Sequence, residues 1–284
     1  MPSAPAYATT ADGSQIAWYD FGGSGEPIVL VHATGFCAQV LEPMAQHLGG
    51  RFRCVALDCR WHGRSRAYEG FGGDWRGFRD DVLAVLQAAG LERPVGFGHS
   101  CGGTALLLAE ELAPGTFSRI YCYEAVVTPV EEPPPPSLEL PLAAAALRRR
   151  DAFASKAEAV ANFSSKAPLS TLHPAVLRAY VEHGFESEPD GSVTLRCRPH
   201  DEARIYSHGY SHAAYRDLFS VEVPVTLACG ALSESFGPEM VEAVARRLRA
   251  GRTVAFEGLG HLGPMERPDV VAASVIRAAD TAPA

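Results

Sequence analysis

A serine flanked by glycines is the residue of this sequence with the clearest potential for chemistry. Residues 98–102 read Gly-His-Ser-Cys-Gly and match the pattern G-x-S-x-G. They follow a short apolar run, Pro94–His99, and open a helical pattern, which is the strand-turn-helix setting that exposes a nucleophile at a sheet edge. A serine hydroxyl is a poor nucleophile at neutral pH, so this interpretation requires a general base nearby. The sequence therefore predicts Ser100 as a catalytic nucleophile with a partner elsewhere in the chain.

That partner should be a histidine, and His261 is the best placed of the ten in the chain. It ends the sequence Gly-Leu-Gly-His directly after a predicted strand, Thr253–Phe256, and precedes the final helical pattern. A loop in that position lies at the same sheet edge as Ser100, so we predict His261 as the base. For the histidines between the two α/β segments, a solvated or helix-capping role is the simpler interpretation. These are His173, His183, His200, His208 and His212.

The elements that must position these residues follow an alternating β and α pattern. Such alternation is typical of a mainly parallel sheet with crossover helices. The predicted strands are Gln15–Phe21, Pro27–Ala33, Phe52–Asp58, Pro94–His99, Arg119–Glu124, Pro224–Gly230 and Thr253–Phe256. The predicted helices are Asp74–Ala89, Thr104–Leu112, Pro238–Leu248 and Asp269–Ala279.

The pattern breaks at Pro133, the first of four consecutive prolines. From there to about Val221 the chain has helical spacing and little strand character, in the segments 142–153, 156–163, 174–183 and 200–218. We therefore predict a core of residues 1–130 and 222–284 with a helical cap, residues 131–221, inserted into it. The insertion's aromatic residues could line an apolar pocket over Ser100 or form the cap's own core. They are Phe153, Phe163, Tyr180, Tyr206, Tyr210 and Tyr215.

Two further motifs make the chain resemble the α/β-hydrolase fold family over nearly its whole length. Residues 32–36, His-Ala-Thr-Gly-Phe, are similar to the family's His-Gly oxyanion loop. Residues 58–65, Asp-Cys-Arg-Trp-His-Gly-Arg-Ser, are similar to its D-x-R-G-H-G-x-S turn. The resemblance implies an α/β fold with a mostly parallel eight-stranded sheet flanked by helices, and with an inserted helical cap.

The resemblance also implies roles for individual residues. By position, the backbone N–H groups of Thr34 and Cys101 would form the oxyanion hole. Ala33 and Trp61 depart from the family, which usually has glycine at both positions; Ala33 makes the geometry of the oxyanion loop less certain, and Trp61 crowds a turn near the site. In the 58–65 turn, the family pattern suggests that Asp58, Arg60 and His62 brace the loop rather than take part in the reaction.

The acidic partner of His261 has two candidate positions. Most of the family places it after the strand Pro224–Gly230 in a Gly-x-x-Asp pattern, but this chain has Ser233 there, followed by Glu234. The other position ends the strand before the insertion, where this chain has Glu124. A carboxylate at the end of an apolar strand would be desolvated without a partner. Because zearalenone-type lactonases and haloalkane dehalogenases carry a glutamate at the equivalent place, we predict Glu124, with Glu234 as the alternative.

Composition excludes several other functions. Lys plus Arg number 25 against 33 Asp plus Glu, a net charge of -8 without a basic stripe, which disfavours nucleic acid as a partner. The seven cysteines are odd in number and lack C-x-x-C spacing, and no apolar run approaches the roughly 18 residues of a membrane span. We therefore expect a cytoplasmic protein without a membrane partner. No metal-ligand spacing or dinucleotide motif is present, so we expect no metal and no organic cofactor.

The leading hypothesis is a serine hydrolase that cleaves a small, mainly apolar carboxylic ester or lactone through an acyl-enzyme on Ser100. A cofactor-independent C–C hydrolase, lyase or cyclase using the same triad is the alternative. A non-catalytic ligand receptor on the same fold is a third hypothesis. The sequence leaves open the actual substrate and whether the protein is a monomer or a homodimer.

Overall fold

The computed structural model describes residues 4–234 and 236–281. Eleven strands lie within these residues: β1 (Ala6–Thr9), β2 (Gln15–Gly23), β3 (Glu26–Val31), β4 (Phe52–Leu57), β5 (Val95–His99), β6 (Arg119–Tyr123), β7 (Ala152–Phe153), β8 (Phe185–Ser187), β9 (Val193–Leu195), β10 (Val225–Gly230) and β11 (Gly251–Phe256). Eight of them form the main sheet, in the order β1-β2-β4-β3-β5-β6-β10-β11. Only the pairings of β2 with β1 and with β4 are antiparallel. The predicted eight-stranded, mostly parallel sheet is confirmed.

The α-helices within the described residues are α1 (Glu42–Leu48), α2 (Arg76–Ala88), α3 (Cys101–Leu112), α4 (Pro141–Ala146), α5 (Lys156–Ser164), α6 (Pro174–His183), α7 (Pro199–Ser207), α8 (Ala214–Asp217), α9 (Pro238–Ala245), α10 (Gly263–Glu266) and α11 (Pro268–Asp280). Apolar side chains of α1 and α11 pack on one face of the main sheet, and those of α2, α3 and α9 pack on the other. Both faces are therefore covered, which explains why the central strands are apolar at most successive positions rather than alternating.

The predicted strands of the main sheet are each found to within two residues at either end. The strand β1 and the helix α1 were not predicted, because four-residue and seven-residue elements carry too little periodicity to stand out. The helical segment predicted for residues 200–218 is wrong in its middle, since α7 ends at Ser207 and α8 begins at Ala214.

The segment between β6 and β10 contains α4 to α8 and a small antiparallel sheet, in the order β7-β9-β8. The sequence predicted little strand character here, and these three short strands are the difference. The helical segment predicted for residues 142–153 is wrong in its second half, since α4 ends at Ala146 and residues 152–153 form β7. Residues 189–192, Pro-Asp-Gly-Ser, form the turn between β8 and β9, with Gly191 at a φ of 88° that favours glycine. Two-residue and three-residue strands are too short to be recognised by alternation alone.

This segment packs onto the core directly. Many of its buried aromatic and aliphatic residues join the same apolar cluster as α1 and α11, where the rings of Phe153, Phe163 and Phe185 make edge-to-face and tilted contacts 5.3 to 6.1 Å apart. Others, such as Ile205 and Leu218, join the cluster of α2, α3 and α9. Polar contacts add to this packing. The Trp75 indole N–H donates to the Ile205 carbonyl at 2.8 Å. The segment is thereby held against the edge of the sheet at which β5 ends.

Candidate active site

Ser100 lies in the turn between β5 and α3, with a φ of 54° and a ψ of −120°. A positive φ is rare for a residue with a side chain and persists only when the surrounding structure enforces it. Glycines on either side permit the turn. A Cβ atom on Gly98 would lie 2.5 Å from the backbone of α3, and one on Gly102 would lie 2.4 Å from the Val31 carbonyl oxygen. The turn thus presents the Ser100 side chain at the carboxyl edge of the sheet.

His261 lies on the loop after β11 and contacts Glu124, the residue that follows β6. The distance from His261 Nδ1 to Glu124 Oε2 is 2.7 Å. Because a carboxylate only accepts hydrogen bonds, Nδ1 carries the proton of this contact and Nε2 is left for a second partner. The Glu124 side chain is fully buried, whereas the imidazole is 39% exposed. His261 and Ser100 line the same cavity.

Two more donors hold the Glu124 carboxylate. The Gly230 backbone N–H donates to Oε1 at 2.9 Å, and the Ser233 hydroxyl donates to Oε2 at 2.8 Å. A buried carboxylate without such partners would be costly, so these bonds make the position tolerable for a charged group. Glu124 also has a positive φ of 45°, a strained conformation at the strand end. The carboxylate is therefore held in one place from three sides.

The sequence pattern did not point to Ser233 as part of the site, although its hydroxyl contacts Glu124. It stands where the usual family pattern has aspartate, and its hydroxyl supports the glutamate on the neighbouring strand instead. Its position four residues into Gly-Ala-Leu-Ser was the available signal. The alternative acid, Glu234, is exposed in that loop, and no bond from it to His261 is found in the described part of the chain.

The residues predicted for the oxyanion hole lie on two braced elements. His32 Nδ1 is 2.7 Å from the Ala33 carbonyl oxygen, and the Gly35 N–H donates to His62 Nε2 at 2.9 Å. Since the peptide is planar and trans, fixing the Ala33 carbonyl directs the Thr34 N–H to the opposite side. Thr34 lines the cavity beside Ser100. Cys101 begins α3, so its N–H is among those without a partner inside the helix.

The two departures from the family pattern differ in their structural effect. Ala33 is absent from the residues with positive φ, and the left-handed position of this loop is Gly35, with a φ of 83°. Alanine is therefore accommodated without backbone strain. Trp61 does occupy the left-handed region, with a φ of 65°, and its ring packs 4.5 Å from that of Phe71. The crowding expected at this turn is taken up by that aromatic contact.

The 58–65 turn braces the oxyanion loop from below. Asp58 accepts bonds from the Ala38 N–H at 2.7 Å, the Arg64 N–H at 2.8 Å and the Tyr19 hydroxyl at 2.9 Å. Burial lowers the pKa of His62 to about 3, so its imidazole is neutral and can accept the Gly35 N–H. Arg60 is paired with Asp81. These contacts support the structural role expected for Asp58, Arg60 and His62.

The loop that carries His261 is tied down by its own backbone. His99 Nε2 lies 2.8 Å from the His261 carbonyl oxygen, and the Tyr123 hydroxyl donates to the Gly260 carbonyl at 2.8 Å. Burial lowers the pKa of His99 well below its usual range, which keeps this ring neutral. Both contacts cross from strands of the sheet to the loop. They were not predicted, because residues so distant in sequence leave no local pattern.

The cavity has a volume of about 480 Å³ and lies between the core and the inserted segment. Of the aromatic residues considered for the pocket, Tyr206 and Tyr210 line it. Phe153, Phe163 and Tyr180 belong instead to the buried aromatic cluster of the insertion, and Tyr215 packs beneath Arg247. The remaining wall is mainly aliphatic and aromatic, with Phe36, Trp75, Val126, Leu140, Leu142, Leu169, Phe236 and Leu262. Among the described residues of this wall, Arg149 and Glu202 carry charged side chains.

Among the histidines of the insertion, His173 caps α6, since its Nδ1 accepts the Ala175 N–H at 3.2 Å. His212 differs from the expected solvated or capping role. Its ring stacks 5.4 Å from that of Trp75, and burial lowers its pKa to about 4. His200 lies in the first turn of α7 with an exposed side chain, which agrees with the solvated role expected for it.

Comparison with known proteins places the chain in a family. The Alpha/beta hydrolase family matches residues 28–274, so the chain belongs to that family of enzymes. A bifunctional esterase/perhydrolase from Acinetobacter calcoaceticus is 36% identical over 104 residues, which is 34% of this chain and 36% of the relative. The chain thus matches about a third of the length of the curated relatives.

Solved structures agree with the fold. E-2-(acetamidomethylene)succinate hydrolase superposes with a TM-score of 0.80 at 18% identity, covering 98% of this chain and 99% of that one. The enol-lactonase from Burkholderia xenovorans superposes with a TM-score of 0.73 at 18% identity, covering 97% and 100%. At such identities the likeness concerns the fold. Across the described residues, no helix is long and apolar enough to cross a membrane.

Proposed function

We propose that this enzyme cleaves a carboxylic ester or lactone through an acyl-enzyme on Ser100, with His261 as general base and Glu124 as the acid of the triad. The observation that carries the proposal is the 2.7 Å contact between His261 Nδ1 and Glu124, beside the cavity that also contains Ser100. A histidine oriented by a buried carboxylate at a serine nucleophile is the arrangement of serine hydrolases on several folds.

In the first half of the reaction, His261 Nε2 takes the proton of Ser100 as its oxygen attacks the substrate carbonyl carbon. The electron pair of the carbonyl moves to its oxygen, and the tetrahedral intermediate then expels the alkoxide, which takes the proton from His261. In the second half, His261 takes a proton from water, the resulting hydroxide attacks the acyl carbon, and Ser100 leaves with the proton. The products are an acid and an alcohol, or a single hydroxy acid from a lactone.

Glu124 stabilises the imidazolium that forms in each half without taking a proton itself. The Thr34 and Cys101 N–H groups would bind the oxyanion. Each such donor accounts for about 3 kcal/mol of barrier lowering in enzymes where one was removed. Because the His32 and His62 contacts fix the oxyanion loop before substrate arrives, these donors need no rearrangement during the reaction.

We further propose that residues 131–221 act as the cap that selects the substrate. Members of this segment, including Leu142, Leu169 and Tyr210, form the side of the cavity opposite Ser100 and His261. A largely apolar wall and a volume near 480 Å³ suit a small, mainly uncharged ester or lactone. The names of the Acinetobacter esterase/perhydrolase and the Burkholderia enol-lactonase support ester or lactone chemistry.

Labelling with a fluorophosphonate tests this proposal, because the reagent reacts only with a serine that a base activates. Intact-protein mass should rise by one label on wild-type protein and should not rise on Ser100→Ala. Ser164→Ala, at an exposed serine on α5, is the matched control and should label like the wild type. A wild-type protein that resists the label, or a Ser100→Ala variant that accepts it, would contradict the assignment of the nucleophile.

A further inference from the structure

A charged pair lies in the wall of the otherwise apolar cavity. Arg149, which follows α4, and Glu202, in the first turn of α7, both line it. Their side chains are 21% and 6% exposed. The pair joins two elements of the insertion, so one role is structural. Because the pair also lines the cavity, it can contact a bound substrate.

The hydrogen bonds of Arg149 leave part of its guanidinium unused. Nη1 donates to both oxygens of Glu202, at 2.9 and 2.8 Å, and Nη2 donates to the Tyr180 hydroxyl. A guanidinium has five N–H groups. Nε–H and one Nη2–H therefore have no protein acceptor among the described residues. The Nε–H lies on the edge of the planar group away from Nη1 and can donate to a single oxygen acceptor.

The pair lies close to the reacting centre. A Cβ atom on Gly35 would be 2.5 Å from Glu202 Oε1 and 3.3 Å from Arg149 Nη1, so the pair packs against the oxyanion loop. Gly35 follows Thr34, whose N–H is the proposed oxyanion donor. A substrate with its carbonyl carbon at Ser100 would pass along this loop. A small molecule is therefore long enough to contact both Ser100 and the charged pair.

The charge of Glu202 decides which acceptor fits. The guanidinium is already neutralised by a carboxylate that accepts two of its bonds. A substrate carboxylate bound at the free edge would add a second negative charge beside one cation in a poorly hydrated wall. The attraction of the guanidinium for that carboxylate is opposed by the repulsion from Glu202 and by the loss of hydration of the carboxylate, because the pair as a whole has no net charge to offset it. A neutral oxygen keeps the hydrogen bonds without this repulsion.

We propose that Arg149 binds a neutral oxygen, such as a carbonyl or ether oxygen, in the part of the substrate remote from the scissile bond, and that Glu202 excludes substrates with a carboxylate there. The inference deepens the proposed function and rests on its placement of the substrate at Ser100. The site thus selects oxygen-bearing, uncharged esters or lactones over both purely aliphatic and anionic ones.

Three probes of similar chain length test this selection through release of 4-nitrophenol. They are methyl 4-nitrophenyl adipate, mono-4-nitrophenyl adipate and 4-nitrophenyl heptanoate, which carry an ester, a carboxylate and an aliphatic end. In wild-type protein, kcat/KM should be highest for the methyl ester and lower by about tenfold or more for the carboxylate. Glu202→Gln keeps the size and one acceptor of the side chain but leaves Arg149 unneutralised. It should raise kcat/KM for the carboxylate probe by about tenfold or more.

The matched control is Asp201→Asn, which removes the same charge from the same turn of α7 at a residue that does not line the cavity. It should leave the order of the three probes unchanged. Arg149→Met should remove the preference of the methyl ester over the heptanoate. If Glu202→Gln leaves the ratio of carboxylate to methyl ester unchanged while ester turnover persists, the pair is structural and the inference is wrong.

Binding to an inactive variant separates this inference from the proposed chemistry. In the Ser100→Ala background, calorimetric titration should show dimethyl adipate binding more tightly than monomethyl adipate, and Glu202→Gln should reverse that order. Reversal without any turnover of the three probes by Ser100-containing protein would support the binding site and contradict the esterase proposal. An unchanged order in the double variant would overturn the binding site whatever the turnover data show.

Discussion

Two buried glutamates of the cavity region, Glu124 and Glu202, have the same side chain and opposite electrostatic situations. Glu124 faces an imidazole, which becomes a cation when it takes the proton of Ser100 in the proposed reaction. Glu202 faces a guanidinium, which is always charged. The partner of Glu124 thus becomes positively charged during the reaction, whereas the partner of Glu202 is positively charged at all times. This difference fits the roles proposed above, in which Glu124 contributes to the transition state and Glu202 to substrate selection.

The surroundings of the two residues agree with that division. Glu124 receives two fixed donors besides His261, the Gly230 N–H and the Ser233 hydroxyl. Glu202 instead binds one nitrogen of Arg149, Nη1, through both its oxygens, and the Nε–H has no acceptor among the described residues. Glu124 needs these other donors because its partner becomes a cation only during the proposed reaction. Glu202 does not need them because its partner is permanently charged.

The largest effect should follow from removing the charge of Glu124. Glu124→Gln should lower kcat by roughly 10⁴ and leave substrate binding nearly intact, because the amide cannot stabilise the imidazolium or hold the correct tautomer of His261. Glu234→Gln is the matched control and should retain close to full activity, since that side chain is exposed. Steady-state kinetics on one chromogenic ester decide between them. A large loss in Glu234→Gln alone would transfer the acid role to that residue.

A smaller effect should follow at Ser233. Ser233→Ala removes one hydrogen bond to a charged group, which contributes about 1.5 kcal/mol, so kcat should fall by roughly tenfold. The sharper variant is Ser233→Asp in the Glu124→Gln background, which places a carboxylate at the usual family position. It should raise kcat by at least about tenfold above that of Glu124→Gln, because a carboxylate near the position of the Ser233 hydroxyl can orient the same histidine, His261. No recovery there would mean that only the strand-end position can orient His261.

His62 is a buried histidine without a carboxylate partner, unlike His261. Its effect should appear in the pH dependence of the free energy of unfolding rather than in the rate of reaction. Burial lowers the pKa of His62 from 6.5 to about 3. The unfolded chain therefore binds a proton below pH 6.5 that the folded chain does not, so the stability is fully present above pH 6.5 and falls toward pH 3. The slope for one histidine is about 1.4 kcal/mol per pH unit.

Urea unfolding between pH 7 and pH 5 measures this slope. His62→Gln retains an acceptor for the Gly35 N–H and removes the titrating group, so its stability should vary with pH by about one proton less than that of the wild type. An equal slope in both proteins would show that His62 is protonated in the fold. It would also contradict the direction of the Gly35 hydrogen bond.

The sequence predicted the part of the site that local chemistry specifies. Glycines around Ser100, apolar runs before it and Glu124 at a strand end leave signals within a few residues, and parallel strands bring such ends to one edge. The supporting contacts have no such signal. Arg149 and Glu202 are 53 positions apart, and the hydroxyl of Ser233 resembles any loop serine until the fold brings it to Glu124.

The aromatic residues of the insertion also show what a sequence pattern leaves undetermined. Helical spacing predicts that Tyr180 and Tyr206 are on buried faces, but a buried face can meet either the core of the insertion or a cavity. Tyr180 packs with Phe163 and Phe185, whereas Tyr206 lines the cavity. The choice depends on how α6 and α7 are oriented relative to the sheet, and three-dimensional packing determines that orientation.

The central claim is that Ser100 becomes acylated, and intact mass after acid quench tests it most directly. Protein mixed with 4-nitrophenyl butyrate for milliseconds and quenched should show an adduct of one butyryl group. Peptide mapping should locate it on Ser100, and Glu124→Gln should slow its appearance. Product release with no adduct at any quench time, while Ser100→Ala remains inactive, would instead indicate base chemistry by the same triad, as in a lyase or cyclase, and would contradict the acyl-enzyme.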